Sequence, residues 1–167
     1  MKNTLPFFII LFLAFISIDA EAQKKKSPAA NASGEINGVE VNVDYHQPSA
    51  HGREIMGGLV PYGEVWRTGA NNATTISFSS DVMVAGEELA AGKYSLFTIP
   101  GEDEWTIIFN SETDIWGTQY SKDSDVLRVE VPSGESEDMV ETFDISVADN
   151  GIVLAWENTM VEIPVEK

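Results

Sequence analysis

GKYSLFTIPGEDEWTIIFN, residues 92–110, contains the pattern from which the fold of this chain can be inferred. Its first half holds large apolar side chains between a Gly-Lys pair and a Pro-Gly pair, which predicts a buried strand bounded by turns. After a polar turn, Trp105, Ile107 and Phe109 follow at a period of two, which predicts a second strand. The stretch therefore predicts a β-hairpin.

The same alternation of apolar and polar residues recurs along most of the chain, with turn residues between the segments. It is found at 39–45, 76–84, 127–131, 143–147, 152–156 and 161–165. The pair Asn150-Gly151 predicts a hairpin turn, and Pro164 predicts that the last strand lies at a sheet edge. No segment after residue 22 has helical periodicity. We therefore predict an all-β fold: an antiparallel two-sheet β-sandwich of about eight or nine strands with one long structured loop.

The N-terminus has the features of an export signal. Lys2 precedes an apolar run that ends at Ala20-Glu21-Ala22, so residues 1–22 are predicted to be a cleavable signal peptide; the alternative is an uncleaved membrane anchor. Residues 23–34 are predicted to form a disordered leader, and residues 35–167 a single β-sandwich domain. The expected location is secreted or periplasmic, with no stable membrane insertion after cleavage.

Charge and cysteine content exclude several function classes. The chain has 27 acidic and 10 basic side chains and a formal net charge of −17, which disfavours nucleic acid or an anionic membrane surface as a partner. It has no cysteine, so it has neither disulfides nor a lipid-modified cysteine. The sequence gives no indication of a cofactor.

One long segment differs from the alternating pattern: SAHGREIMGGLVPYGEVWRTGANNATT, residues 49–75. It holds five of the 13 glycines, together with Pro61, and this composition predicts a shaped irregular loop. Long structured loops of this kind are often functional. Any specific chemistry of this protein is therefore expected in this loop.

The loop contains the candidate ligand-binding residues. Arg53 and Arg67 offer planar guanidinium groups for a carboxylate, a phosphate or sugar hydroxyls, and Trp66 and Tyr62 offer aromatic faces. The predicted ligand-binding residues are Arg53, Tyr62, Trp66, Arg67 and Asn71. The alternative is structural: the arginines bond the loop's own carbonyl groups, and Trp66 closes the end of the core.

Other side chains give weaker signals. His46 and His51 could ligate a metal with a neighbouring carboxylate, but two histidines without cysteine are a weak metal signature, and no metal site is predicted. Trp105 and Trp156 occupy strand positions and are expected in the core, whereas Trp116 is expected to be exposed on a second polar loop, residues 111–124. No nucleophile elbow of the G-x-S-x-G type is present.

The sequence resembles a bacterial family, Domain of Unknown Function 2911. The resemblance is carried by segments within 45–74, by AGKYSLFTIP at 91–100, by WTIIFN at 105–110 and by WENT at 156–159. It implies a secreted or periplasmic protein of bacteria related to the Bacteroidetes, and it brings no established activity, cofactor or catalytic residues. His46-Gln47 stands where we would expect a residue such as Gly followed by Arg.

Three functions are consistent with these observations. The leading hypothesis is an exported, non-enzymatic module that binds a small polar or anionic ligand, a saccharide or a peptide, in a cleft built from the 49–75 loop. The second is a structural or protein-interaction module of the cell envelope, in which the loop is a rigid cap and an exposed strand edge recruits a protein partner. The third is an enzyme that uses Arg53, Arg67 and Asn71 to stabilise a developing anion.

Overall fold

The computed structural model describes residues 27–167. The predicted signal peptide, residues 1–22, and the first part of the predicted leader lie outside the described residues. Within residues 27–167, no helix is long and apolar enough to cross a membrane.

Nine strands make up nearly all of the regular structure. Residues 27–167 contain no α-helix, and their one helical segment is a 3-10 turn at Lys122–Ser124. The strands are β1 (Ala29–Ile36), β2 (Val39–His46), β3 (Thr74–Phe78), β4 (Val82–Val84), β5 (Glu87–Leu89), β6 (Gly92–Ile99), β7 (Glu104–Asn110), β8 (Asp125–Ala148) and β9 (Gly151–Glu166). The prediction of an all-β fold is confirmed.

The strands form one continuous antiparallel sheet in the order β1-β2-β3-β6-β7-β8-β9-β4-β5. The predicted division into two sheets is not confirmed, because β8 belongs to both halves of the structure. Its first part, up to Pro132, pairs with β7, and its second part, from Ser133, pairs with β9. We call β1, β2, β3, β6, β7 and the first part of β8 the first arm. The second part of β8 and strands β9, β4 and β5 form the second arm.

Both arms contribute residues to the main apolar core, and a second, smaller cluster consists of Ala73, Phe97 and Ile108. The main cluster of buried residues includes Val41 and Val43 of β2 as well as Ile145 and Ile152 of β8 and β9. Each large apolar side chain buried in this way contributes about 1.5–3 kcal/mol. Trp105 and Trp156 are both 2% exposed, which confirms their predicted core positions.

The hairpin predicted from residues 92–110 is present. β6 and β7 pair antiparallel, with Leu96 opposite Phe109 and Thr98 opposite Ile107. Leu96, Ile107 and Phe109 are fully buried in the main core. The bounded apolar run therefore identified β6, and the period-two pattern identified β7. Phe97 and Ile108, at the alternate positions, are also fully buried, in a second cluster, so both faces of the hairpin are covered.

The predicted disordered leader is wrong from Ala29 onward, because that segment is strand β1. It pairs along its whole length with β2, from Ala29 opposite His46 to Ile36 opposite Val39. The turn between them is Asn37-Gly38, with φ of 51° and 81°, the left-handed pair typical of a type I′ hairpin turn. β1 has few buried apolar side chains, so backbone pairing rather than its own apolar pattern stabilises it.

The C-terminal strands are longer than predicted. The segments 127–131 and 143–147 belong to one strand, β8, of 24 residues, and the last two alternating segments belong to β9. The expected hairpin is present, with Ala148 opposite Gly151. The edge position expected from Pro164 is wrong, since β9 lies between β8 and β4, and the Pro164 carbonyl accepts a hydrogen bond from the Ala85 N–H.

Candidate functional site

The 49–75 loop is irregular, as predicted, but it is fastened to the sheet at several points. Isolated backbone bridges join Ser49 to Thr142 and Trp66 to Thr98. Outside glycine, the backbone of the loop enters the left-handed region at His51 (φ 51°), Thr68 (φ 51°) and Asn71 (φ 60°). Such conformations cost free energy, and they persist only where the surrounding structure enforces them. The loop therefore has a defined conformation that its contacts with the sheet enforce.

Two carboxylates outside the loop hold its first half. Glu141 accepts hydrogen bonds from the His51 N–H at 2.8 Å through its side chain and from the Ala50 N–H at 2.8 Å through its backbone carbonyl. The Glu157 carboxylate accepts a hydrogen bond from the Ile55 N–H at 3.1 Å. Their role could not be read from the sequence, because both lie about 90 or more residues further along the chain.

The Arg53 side chain forms hydrogen bonds to carbonyl groups of its own loop. Its Nε donates to the Ala50 carbonyl at 2.9 Å, and its Nη2 donates to the Ser49 carbonyl at 2.7 Å. These two bonds use the guanidinium group to close a turn of the loop. For Arg53 the structure therefore favours the structural alternative stated above.

The side chain and the carbonyl group of Asn71 also form hydrogen bonds to backbone atoms. Its side-chain amide donates to the Ser27 carbonyl at 3.4 Å, and its own carbonyl accepts from the Gly117 N–H at 3.1 Å. The left-handed φ of Asn71 suits asparagine better than most residues with a Cβ. Asn71 thus joins the loop to the N-terminal strand region and to the second polar loop.

Trp66 and Arg67 line a cleft of about 540 Å³. One wall is the loop segment 59–70, and the other is formed by the second polar loop at Gly117, Thr118 and Tyr120. Arg53, Tyr62 and Asn71 are not among its lining residues. Of the five predicted ligand-binding residues, the structure therefore brings only Trp66 and Arg67 together in one cleft. Arg53 and Asn71, which the third hypothesis groups with Arg67, do not line this cleft.

Trp66 belongs partly to the core and partly to the cleft. Its ring stacks on Trp156, with centroids 5.8 Å apart and planes at 18°, and it meets Trp105 and Phe143 edge-on at 6.1 and 5.0 Å. Such pairs stabilise by about 0.5–1.5 kcal/mol beyond the burial of area. The structural and ligand-binding readings of Trp66 are thus compatible, because one side of the residue packs inward and the residue still lines the cleft.

Arg67 differs from the other two arginines, because its side chain has no hydrogen-bond or ion-pair partner among residues 27–167. Its Nε is buried and has no hydrogen-bond partner within residues 27–167. The ion pairs found there involve His51, Lys93 and Arg128, not Arg67. A buried donor without a partner loses its hydration without compensation. Arg67 therefore has unused hydrogen-bonding capacity at the wall of a cleft.

Gly117 explains how the Arg67 side chain is seated. A Cβ at position 117 would come within 2.8 Å of both the Arg67 Cβ and the Asn71 carbonyl oxygen, and closer still to the Arg67 Cδ. Only glycine leaves room for this contact. The sequence indicated Gly117 only as a neighbour of Trp116, which is 49% exposed, as predicted.

Tyr120 forms part of the second wall through a hydrogen-bonded network. Its hydroxyl donates to Asp125 Oδ2 at 2.6 Å and accepts from Arg128 Nη2 at 2.6 Å, and its ring packs against Phe97. Burial, followed by the hydrogen bond to Asp125, raises the pKa of Tyr120 above its ordinary value, so the phenol stays protonated at neutral pH. Because its hydroxyl is already engaged, Tyr120 offers the cleft mainly its ring.

Tyr62 lies at a separate, smaller cleft of about 340 Å³. This cleft is also lined by Met56, Trp105, Glu102 and Asp103. Tyr62 is 42% exposed there. The expected platform of Tyr62 beside Trp66 and the arginines is therefore not present.

The histidines do not form a metal-binding cluster. His51 is exposed, and its Nδ1 lies 3.8 Å from a Glu141 carboxylate oxygen. Within residues 27–167, no group of three histidine, cysteine or acidic side chains is placed to hold a metal ion.

Comparisons with known proteins identify a family without an activity. No curated protein matches the chain, and no solved structure matches it. One family, described as a protein of unknown function (DUF2911), matches residues 27–165, which is nearly the whole of the described chain. On this match the chain belongs to the DUF2911 family of proteins of unknown function.

Proposed function

We propose that this protein is an exported, non-enzymatic module that binds a small ligand with an anionic group and an apolar body in the cleft at Trp66 and Arg67. Arg67 is the anion-binding group in this proposal. Arg53 and Asn71 shape the loop that carries it, and Tyr62 has no part in it. Export rests on the signal-peptide pattern of residues 1–22.

The observation that carries the proposal is the difference between Arg67 and the other arginines. Arg53 is satisfied by loop carbonyls, and Arg128 pairs with Asp125 at 2.7 Å. Among residues 27–167, the buried Nε of Arg67 has no partner, although Arg67 lines the cleft. A carboxylate or phosphate bound by Arg67 would form charge-assisted hydrogen bonds, which are roughly twice as strong as neutral ones.

The walls of the cleft support an apolar ligand body. Most of its lining residues are apolar or aromatic, and Leu59 and Val65 among them are exposed on the rim. The volume of about 540 Å³ lies in the range of small-molecule sites, about 300–1,000 Å³. These walls fit an aryl or alkyl carboxylate, or the end of a peptide, better than they fit a saccharide, which needs more polar groups than this lining provides.

We propose that the two arms of the sheet are the two layers of a sandwich that supports the loop. The contact of β1 with β8 supports this reading, since a Cβ on Gly34 would lie within 2.9 Å of the Val147 Cγ1. The Tyr45 hydroxyl of β2 also donates to Asp144 of β8 at 3.2 Å. A framework closed in this way would hold the cleft open without a ligand.

Isothermal titration with phenylacetate, butyrate, inorganic phosphate and glucose tests the proposal, with a thermal-shift assay in parallel because a ligand that binds only the folded state raises Tm. We expect binding of phenylacetate that is lost in Arg67→Gln and retained in Lys93→Gln. The second variant is a control for overall charge, because Lys93 is an exposed basic residue outside the cleft and outside the loop. Equal binding by Arg67→Gln and the unmodified protein would contradict the proposal.

A second candidate, a structural or protein-interaction module of the cell envelope, is favoured by a different observation. Arg53, Asn71 and the core face of Trp66 all serve to fasten the loop, as a rigid cap requires. The sheet also has two edge strands, β1 and β5, available to a protein partner. Absence of any ligand response, together with normal folding of Arg67→Gln, would favour this candidate.

A further inference from the structure

The cleft at Trp66 and Arg67 contains a second charged residue, Glu64. Glu64 and Arg67 are the only charged side chains among its lining residues, and they carry opposite charges. Glu64 is exposed, and none of the ion pairs within residues 27–167 includes it. Two opposite charges therefore line one apolar cleft without pairing with each other.

This arrangement determines which ligands the cleft fits best. A ligand with a carboxylate alone would satisfy Arg67 and would place an apolar or neutral group beside the Glu64 carboxylate. A ligand that also carries an ammonium group would satisfy both residues at once, and such complementarity discriminates strongly between related ligands.

We propose that the cleft binds the zwitterion of an apolar or aromatic α-amino acid. Its carboxylate is held by Arg67, its ammonium group faces Glu64, and its side chain lies against the apolar wall that includes Trp66 and Trp156. This inference rests on the proposed function, and it adds the ammonium group and the role of Glu64.

Covalent geometry supports a ligand whose two charges are close together. Glu64 and Arg67 are three residues apart, so their backbones are separated by at most about 10 Å, and their side chains can reach toward each other across part of that span. In an α-amino acid, the ammonium nitrogen and the carboxylate carbon are about 2.5 Å apart, being bonded to the same Cα. A short zwitterion can therefore lie between the two side chains, whereas a peptide would place its charges further apart.

The buried Nε of Arg67 provides an independent reason for a carboxylate at this end of the ligand. This donor has no partner within residues 27–167, and a carboxylate can accept from Nε and a terminal nitrogen in parallel. Exposed Glu64 keeps its hydration until a ligand arrives, so its contribution is expected to be smaller. The inference thus assigns affinity chiefly to Arg67 and selectivity to Glu64.

Calorimetric titration of the folded protein with three related probes tests this inference: L-phenylalanine, N-acetyl-L-phenylalanine, which lacks the ammonium group, and L-phenylalaninamide, which lacks the carboxylate. We expect L-phenylalanine to bind at least about tenfold more tightly than either analogue, a difference of about 1.4 kcal/mol. Glu64→Gln should remove the preference for L-phenylalanine over its N-acetyl form. Glu54→Gln is the matched control, because Glu54 is an exposed acid of the same loop outside the cleft lining and should leave that preference unchanged.

The outcomes separate this inference from the proposed function. If L-phenylalanine and its N-acetyl form bound with equal affinity, and Glu64→Gln did not change this, the proposal of zwitterion binding would be wrong. The proposed carboxylate site at Arg67 would stand. A loss of preference in Glu54→Gln as large as in Glu64→Gln would also overturn it, because the effect would then come from overall charge. Failure of all three probes and of phenylacetate to bind would overturn both proposals.

Discussion

Replacement of Trp66 by alanine tests whether the 49–75 loop is anchored in the folded core. The ring of Trp66 is partly buried and contacts three core aromatic residues, with centroid distances of 5.0 to 6.1 Å. Buried Trp→Ala substitutions cost about 3–5 kcal/mol, and the partial exposure of Trp66 places it at the lower end, about 3 kcal/mol. For a chain of this size each kcal/mol lowers Tm by about 2–4 °C, so we expect a fall of about 6–12 °C.

Trp116→Ala is the matched control for this experiment, since it removes the same side chain from a position that is 49% exposed. It should cost less than about 1 kcal/mol, as surface substitutions generally do. Urea denaturation followed by far-UV circular dichroism measures both variants. If Trp66→Ala and Trp116→Ala had equal, small effects, the loop would not be anchored in the core through Trp66, and the reasoning would be refuted.

Three further predictions concern the loop, the cleft and alkaline pH. Arg53→Ala should lower the free energy of unfolding by about 1–2 kcal/mol, because the Ser49 carbonyl loses its donor and the Ala50 carbonyl keeps only the Arg53 N–H, and it should cost more than Arg67→Ala; the reverse order in urea denaturation would contradict these roles. Gly117→Ala should cost about 1–3 kcal/mol through its clash with the loop, whereas Gly134→Ala, whose Cβ meets no atom closer than 3.9 Å, should be neutral, and equal effects on Tm would refute the close contact. Burial raises the pKa of Tyr45 above its ordinary value of 10.0, so the folded state keeps this proton longer than the unfolded state. The free energy of unfolding should therefore be unaffected by this group below about pH 10 and should fall as pH rises through its raised pKa, less steeply in Tyr45→Phe; identical slopes from pH 9 to 11 would contradict the assignment.

The strands could be predicted wherever apolar residues alternate, as in the hairpin of residues 92–110, because a half-buried strand needs one apolar face. β1 escaped prediction because its sequence, AANASGEI, is mostly small and polar, and its order comes from pairing with β2. The pair Asn37-Gly38 was the available signal, since it is a strong hairpin turn sequence. The continuity of β8 also escaped, because residues 132–142 have no regular apolar alternation and pair irregularly with β9.

The composition of the 49–75 loop indicated where the candidate site lies, but not which residues come together in it. The glycines, arginines and aromatic residues of the 49–75 loop indicated a segment that forms one wall of the cleft, and Trp66 and Arg67 line that cleft. The sequence could not show that Arg53 is hydrogen-bonded by its own loop while Arg67 is not, because both are arginines of the same irregular loop. That difference depends on which carbonyl groups the folded loop places within reach of each guanidinium group.

The sequence by itself determined the all-β class, the main hairpin, the irregular loop and the family, because these depend on local periodicity, turn chemistry and long specific motifs. Only the tertiary structure decided that one sheet passes through β8 into both arms and that the second loop, through Gly117 and Tyr120, forms the opposite wall of the cleft. Contacts of this kind join residues about 50 positions apart in the sequence. They arise from strand pairing and packing, which local sequence patterns do not indicate.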